Sequence, residues 1–104
     1  MSLAELTRQL VAINSINPDL VAGAPGEAGL VAFAGAWLER AGVRVSVIAA
    51  PSGRPSLLCH LAGRRPGRSL LLYAHADTVG VDGMAEPFAG RIDGDRLHGR
   101  GALD

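Results

Sequence analysis

The sequence predicts an α/β fold, on three observations: two stretches carry apolar residues at helical spacing, the period changes to alternation at Val43, and several short apolar runs follow. Ser2 with Glu5 three positions on has the form of a capping box. Leu3, Leu6, Leu10 and Ile13 come next at helical spacing, so a first helix is predicted to about Ile13. The polar stretch 14–18 ends it, because the Pro18 ring disfavours helix at the residue before it. Leu30, Phe33, Ala34, Trp37, Leu38 and Ala41 repeat at three-and-four spacing over an apolar face, and Gly42 offers a left-handed stop. Val43, Val45 and Val47 then alternate with Arg44 and Ser46, the mark of a strand with one covered face. Two more apolar runs, 56–62 and 69–74, flank the turn 63–68 and could pair as a hairpin. A smaller hairpin is predicted around Asp93-Gly94, with Arg91-Ile92 returning as Arg96-Leu97. There is no internal repeat, and residues 1–104 read as one domain, an α/β layer whose later helices and strands are missing.

Composition narrows the function classes. The 104 residues are 48% hydrophobic, enough for a small core, and ten basic residues balance ten acidic ones. That balance leaves no electrostatic footprint for phosphate backbones or anionic lipid, so neither nucleic acid nor a membrane surface is expected as a partner. Arg64, Arg65 and Arg68 form the one basic cluster, in a turn with Pro66 and Gly67 and no interleaved aromatics, which fits a solvated loop. The opening residues include Glu5 and Arg8 and lack a secretory pattern, and no stretch has the length of a membrane span. Cys59 is the single cysteine and has no internal disulfide partner, which fits a reducing compartment; the cytoplasm is the expectation.

Two constellations could carry chemistry. The apolar run Leu70-Leu71-Leu72-Tyr73-Ala74 ends abruptly in His75-Ala76-Asp77, at the carboxyl end of a strand, where open α/β sheets place their sites. A carboxylate two residues on lies on the same side as the histidine and can accept one imidazole N–H, leaving the other nitrogen free for a metal. The same tripeptide also describes a hydrogen-bonded His-Asp pair at a strand end with no metal at all. The second constellation is Leu97-His98-Gly99-Arg100-Gly101-Ala102-Leu103-Asp104. Its glycines permit sharp turns and close backbone approach, so the loop can bring Asp104 to a site formed elsewhere. A carboxylate can bridge two cations, although a turn ending in a solvated acid has the same sequence.

In their joint order these segments resemble the dinuclear zinc hydrolases of the acetylornithine deacetylase, succinyl-diaminopimelate desuccinylase, aminoacylase and carboxypeptidase G family. The strand into His75-Ala76-Asp77-Thr78-Val79 is similar to that family's first metal motif. Glu86-Pro87-Phe88, Asp93-Gly94 and the segment from Leu97 to Asp104 are similar to its second. The likeness extends upstream to Ser15-Ile16-Asn17-Pro18 and to Trp37-Leu38-Glu39-Arg40-Ala41-Gly42, and so covers essentially the whole chain. Ala74 stands where the family usually has glycine, and Gly80 where proline is common.

The resemblance implies the amino-terminal part of a zinc-exopeptidase-like catalytic domain, a mixed sheet packed with helices and incomplete at residue 104. It implies that His75 ligates a metal, that Asp77 acts in catalysis by orienting that imidazole, and that Asp104 bridges two divalent ions, zinc first and cobalt or manganese as alternatives. It implies as substrate an N-acyl amino acid or small peptide, and a homodimeric parent protein whose remaining ligands and glutamate base lie beyond Asp104. Since a zinc site takes at least three protein ligands, little activity is expected of the 104 residues alone. The rival readings are a non-catalytic interaction module and a truncated gene product, both derived from such an enzyme. Cys59 is expected in the core and His60 partly exposed, on opposite strand faces. His98 is read either as approaching the site or substrate or as an exposed hairpin histidine and is left out of the ligands, and Arg100 is expected to lock its loop by hydrogen bonds.

Overall fold

A computed structural model describes all residues from Met1 to Asp104. The elements are α1 (Leu3–Val11), α2 (Ala28–Arg40), β1 (Arg44–Ile48), β2 (Ser56–His60), β3 (Arg91–Asp93) and β4 (Arg96–His98). Ser2 caps α1, its Oγ accepting from the Glu5 amide at 3.2 Å. The reciprocal half of the capping box is not made. The Glu5 carboxylate instead takes Arg8 at 2.7 and 2.9 Å and Gln9 at 3.1 Å, and those hydrogen bonds, Arg8 first, lower its pKa to about 2. α2 ends as predicted at Gly42, whose φ of 82° lets the chain close the helix: the Gly42 amide donates to Glu39 O and the Val43 amide to Leu38 O.

The strands pair differently from the sequence expectation. β1 and β2 form an antiparallel pair from Arg44↔His60 to Ile48↔Ser56, and β3 and β4 a second one from Arg91↔His98 to Asp93↔Arg96. The first packs against α2, with Leu57 against Gly35. The second closes through Gly94-Asp95 rather than Asp93-Gly94. Gly94 at φ 60° takes the first turn position and Asp93 pairs in the ladder. In place of a single mixed sheet there are two separate two-stranded ones.

The expected hairpin between 56–62 and 69–74 does not form, because β2 spends its ladder on β1. No backbone group from Ser69 to Asp77 bonds to another backbone group. Two open clefts border this segment: one of about 590 Å³ lined by Leu57 and Leu58 of β2 with Leu71, Leu72 and Tyr73, and one of about 380 Å³ lined by Ala74 to Asp77. Leu70 through Tyr73 are 80–89% exposed, so the run expected as a buried strand has neither ladder nor cover. Cys59, expected in the core, is exposed as well: α2 half-covers Val45 and Leu57 and leaves Cys59 open on the same face.

The core is correspondingly small. Its buried apolar residues are Val11 in α1, Ile16 in the 14–18 loop and Val31 in α2. The accessible surface is 7934 Å², against roughly 5,500 Å² for a compact monomer of 10.7 kDa. The radius of gyration, 15.4 Å, likewise exceeds the roughly 13 Å of a compact chain of this length. No helix is long and apolar enough to cross a membrane.

Candidate metal centre

One parallel bridge organises the site. The Thr78 amide donates to Ser15 O at 3.0 Å and the Asn17 amide to Thr78 O at 2.8 Å, so the segment after α1 runs beside the segment after His75. Ser15 is fully buried at this junction. The second motif is tied to the same place from the other side. Arg100 Nε donates to Gly80 O at 3.0 Å and its amide to Pro87 O at 2.8 Å, the locking role expected of it. Gly99 and Gly101 are the glycines that this crossing needs. A Cβ at Gly99 would overlap Val11 of α1 and stand 3.0 Å from Pro87 O, and one at Gly101, with φ 82°, would stand 3.0 Å from Thr78 Cγ2.

The crossing brings His75 and Asp104 together although 29 residues separate them: His75 Nε2 lies 3.2 Å from Asp104 Oδ1. On the other side of the ring, Nδ1 is 2.9 Å from the backbone oxygen of Asp77 and 3.5 Å from its Oδ1. A carbonyl oxygen only accepts, so Nδ1 carries a proton and donates, chiefly to the Asp77 backbone and less closely to its carboxylate. With an oxygen at each nitrogen, the imidazolium is favoured. The Asp104 contact first, then the Asp77 backbone contact, raise the His75 pKa above its ordinary value. The ring is about half exposed and the Asp104 side chain almost wholly so.

Asp77 is held from behind. Its Oδ2 accepts from Asn17 Nδ2 at 2.9 Å, and Arg54 Nη2 lies 3.7 Å from the same oxygen. Arg54 also donates to Glu27 at 3.0 Å and to Asp19 at 3.0 Å, and so ties the buried Glu27 at the start of α2 to the site's rim. Sequence reasoning singled out none of Asn17, Arg54 and Glu27 as functional. Asn17 and Arg54 meet Asp77 across up to 60 residues, and Glu27 reaches it only through Arg54, which spacing alone does not reveal; the one available signal was Asn17 within the Ser15–Pro18 resemblance. His98 stays in β4, exposed and paired with Arg91, and Arg64, Arg65 and Arg68 are exposed in their turn. Thr78 Oγ1 is buried beside the bridge without a partner.

The donor set fits a metal in part. Two ligands about 2.1 Å from a tetrahedral ion lie about 3.4 Å apart, close to the 3.2 Å between His75 Nε2 and Asp104 Oδ1. No group of three or more His, Cys, Asp or Glu side chains converges here or elsewhere in the structure. The chain thus offers two of the three or more protein ligands that a zinc ion takes.

An α/β chain with a histidine and a distant carboxylate set face to face by glycine turns has the donor types of a metal-assisted hydrolase. Comparison of the sequence with known proteins finds enzymes named as a deacetylase and as desuccinylases. It is 34% identical over 105 residues to an acetylornithine deacetylase of Photorhabdus laumondii, an alignment covering 96% of this chain and 27% of that protein. It is 37% identical to a succinyl-diaminopimelate desuccinylase of Methylobacterium sp. (95% and 25%) and 33% identical to one of Rhizorhabdus wittichii (96% and 26%). No family model and no solved structure matches it. Along nearly its whole length the chain is similar to these deacetylases and desuccinylases, and it spans about a quarter of the length of the relatives it matches.

Proposed function

We propose that this chain carries part of the active site of a metal-dependent hydrolase that cleaves the amide bond of an N-acyl amino acid or small peptide. The observation that supports it most is the approach of His75 Nε2 to Asp104 Oδ1 at a separation suited to two ligands of one ion. The names of its relatives, a deacetylase and desuccinylases, favour an acylated amino acid over a longer peptide. His75 and Asp104 would hold divalent metal, zinc by the imidazole and carboxylate chemistry of the pair, with cobalt or manganese as substitutes. Bound at this position, a pair of such ions would acidify a water and polarise the scissile carbonyl.

The chain's own residues have separate tasks. Asp77 fixes the imidazole with its Nδ1 protonated, which leaves Nε2, on the side of Asp104, as the nitrogen whose proton a metal would replace. Arg100 anchors the loop that carries Asp104, and the Gly99 and Gly101 turns let that loop cross Val11 and Thr78. With two ligands in hand, the 104 residues by themselves bind metal weakly and turn over little substrate.

Two assays test this reading. Zinc is titrated into the wild-type chain and into His75→Ala and Asp104→Ala, and a longer polypeptide containing these residues is assayed for metal-dependent release of free amine from N-acetyl and N-succinyl amino acids. Expected are weaker zinc binding in both variants and a chelator-sensitive amidase in the longer protein. Equal zinc binding by wild type and His75→Ala would refute the ligand assignment.

A further inference from the structure

We infer that Asn17 is a positioning residue for the His75 site: it holds the Asp77 carboxylate by its outer oxygen so that the inner oxygen and the Asp77 backbone remain turned to the imidazole. The inference rests on the metal-hydrolase reading and adds to it a residue outside both motifs.

The geometry fixes which end of the Asn17 amide does this. Its Oδ1 accepts from the Asp19 amide at 2.8 Å, which leaves Nδ2 as the end that donates to Asp77 Oδ2 at 2.9 Å. The Asn17 backbone is fixed independently, its amide donating to Thr78 O at 2.8 Å and the Thr78 amide returning to Ser15 O. Asn17 therefore reaches Asp77 from a rigid point one residue away from it in the paired segment. A carboxylate has two oxygens, and with Oδ2 held by Asn17 and faced by Arg54, rotation about the Asp77 side chain is stopped with Oδ1 3.5 Å from His75 Nδ1. Arg54 reinforces the hold by charge, and its other two carboxylates, Glu27 and Asp19, keep it there.

Outer partners of a ligating histidine change metal affinity by about 10–100-fold, and Asn17, one contact further out, is expected to change it by about threefold to tenfold. Zinc alone is titrated into the full chain and followed through the His75 ring signals in proton–nitrogen spectra, with the urea midpoint measured on the same samples. Asn17→Asp keeps the acceptor for the Asp19 amide and turns the Asp77 contact repulsive. It is expected to weaken zinc binding by that factor and to lower the midpoint. The double change Asn17→Asp with Asp77→Asn restores the hydrogen bond with donor and acceptor exchanged but removes the carboxylate from His75.

Recovery of the midpoint without recovery of zinc affinity supports the positioning role. Unchanged zinc affinity in Asn17→Asp overturns it, and so does full recovery of affinity in the double variant, which would reduce Asn17 to a structural brace. If His75→Ala binds zinc as wild type does, the metal assignment itself fails and this inference with it, an outcome distinct from the other two.

Discussion

Gly99 is where the loop carrying Asp104 passes closest to α1, and replacing it by alanine is expected to damage both fold and site. The added Cβ overlaps Val11 Cγ1, stands 3.0 Å from Pro87 O, and must be carried at φ 156°. Val11 is a buried core residue and Pro87 O is backbone that already accepts from the Arg100 amide, so neither neighbour yields easily. Overpacking and the unfavourable φ together cost about 2–4 kcal/mol. Two controls separate the contributions. Gly23, at φ 79° with nothing within 4 Å, isolates the backbone penalty at about 1 kcal/mol, and Gly67, open and at an ordinary φ, should gain about 0.4–1 kcal/mol as alanine. Urea unfolding of the three variants should rank Gly67→Ala above Gly23→Ala above Gly99→Ala, the last shifted by about 1 M or more at a slope of ~1–2 kcal/mol/M. The same change should part Asp104 from His75, seen as a fall in the His75 pKa toward its ordinary value. If Gly99→Ala is no less stable than Gly23→Ala, the close crossing at α1 is wrong.

Other consequences can be checked on the same chain. Thr78→Val removes a buried hydroxyl that has no partner while keeping its shape, and is expected to be neutral or to stabilise by about 1 kcal/mol; a loss above that would mean that the hydroxyl is bonded. Because the His75 pKa is raised in the folded state, the stability it contributes is fully present below its unfolded value of 6.5 and is lost as pH rises through the folded value. Zinc competes for the same nitrogen, so its affinity should rise with pH over that window, and a flat zinc–pH profile would remove His75 from the ligands. Leu71→Lys at an 80% exposed position should leave the urea midpoint within about 0.5 kcal/mol of wild type while reducing light scattering from associated chains; a large loss of stability would show that the run packs against something.

Local chemistry was legible in the sequence, and sheet assembly was not. Ser2 as a cap, Gly42 as a helix stop and the β3–β4 turn follow from a few neighbouring residues, and all three form, the turn displaced by one position. The partner of β2 depends on competition between segments on both sides of it. β1 and the 69–74 run are each apolar enough to pair with β2, and alternation does not say which one does. Cys59 failed for a related reason: its face was read correctly, but how far α2 reaches along that face is a tertiary fact. In the site, His75, Asp77 and Asp104 were visible as residues with known chemistry, the first two at the end of an apolar run and the third after two glycines. Asn17 and Arg54 are ordinary polar residues until the 15–17 segment is laid against Thr78.

The site's geometry and the chain's thin core have one explanation in common. His75, Asp77 and Asp104 are held by a two-bond bridge from Ser15 and Asn17 to Thr78, by the Arg100 bonds to Gly80 and Pro87, and by the Gly99 crossing over Val11. Every one of those contacts joins loops to α1 or to each other, and none passes through the 69–74 run, which is bare on both faces. Segments buried on both faces in a parallel or mixed sheet read as continuous apolar runs, and Leu70-Leu71-Leu72-Tyr73 reads that way. The surplus of about 2,400 Å² over a compact monomer includes this run, whose four residues are 80–89% exposed. Covering that run should therefore stiffen the segment leading into His75 without redirecting the ring, since the contacts that aim the imidazole at Asp104 are already made elsewhere. Site geometry is independent of the 69–74 run: substitutions at Leu71 or Leu72 should leave the His75 ring signals in place, and substitutions at Asn17 or Gly99 should move them.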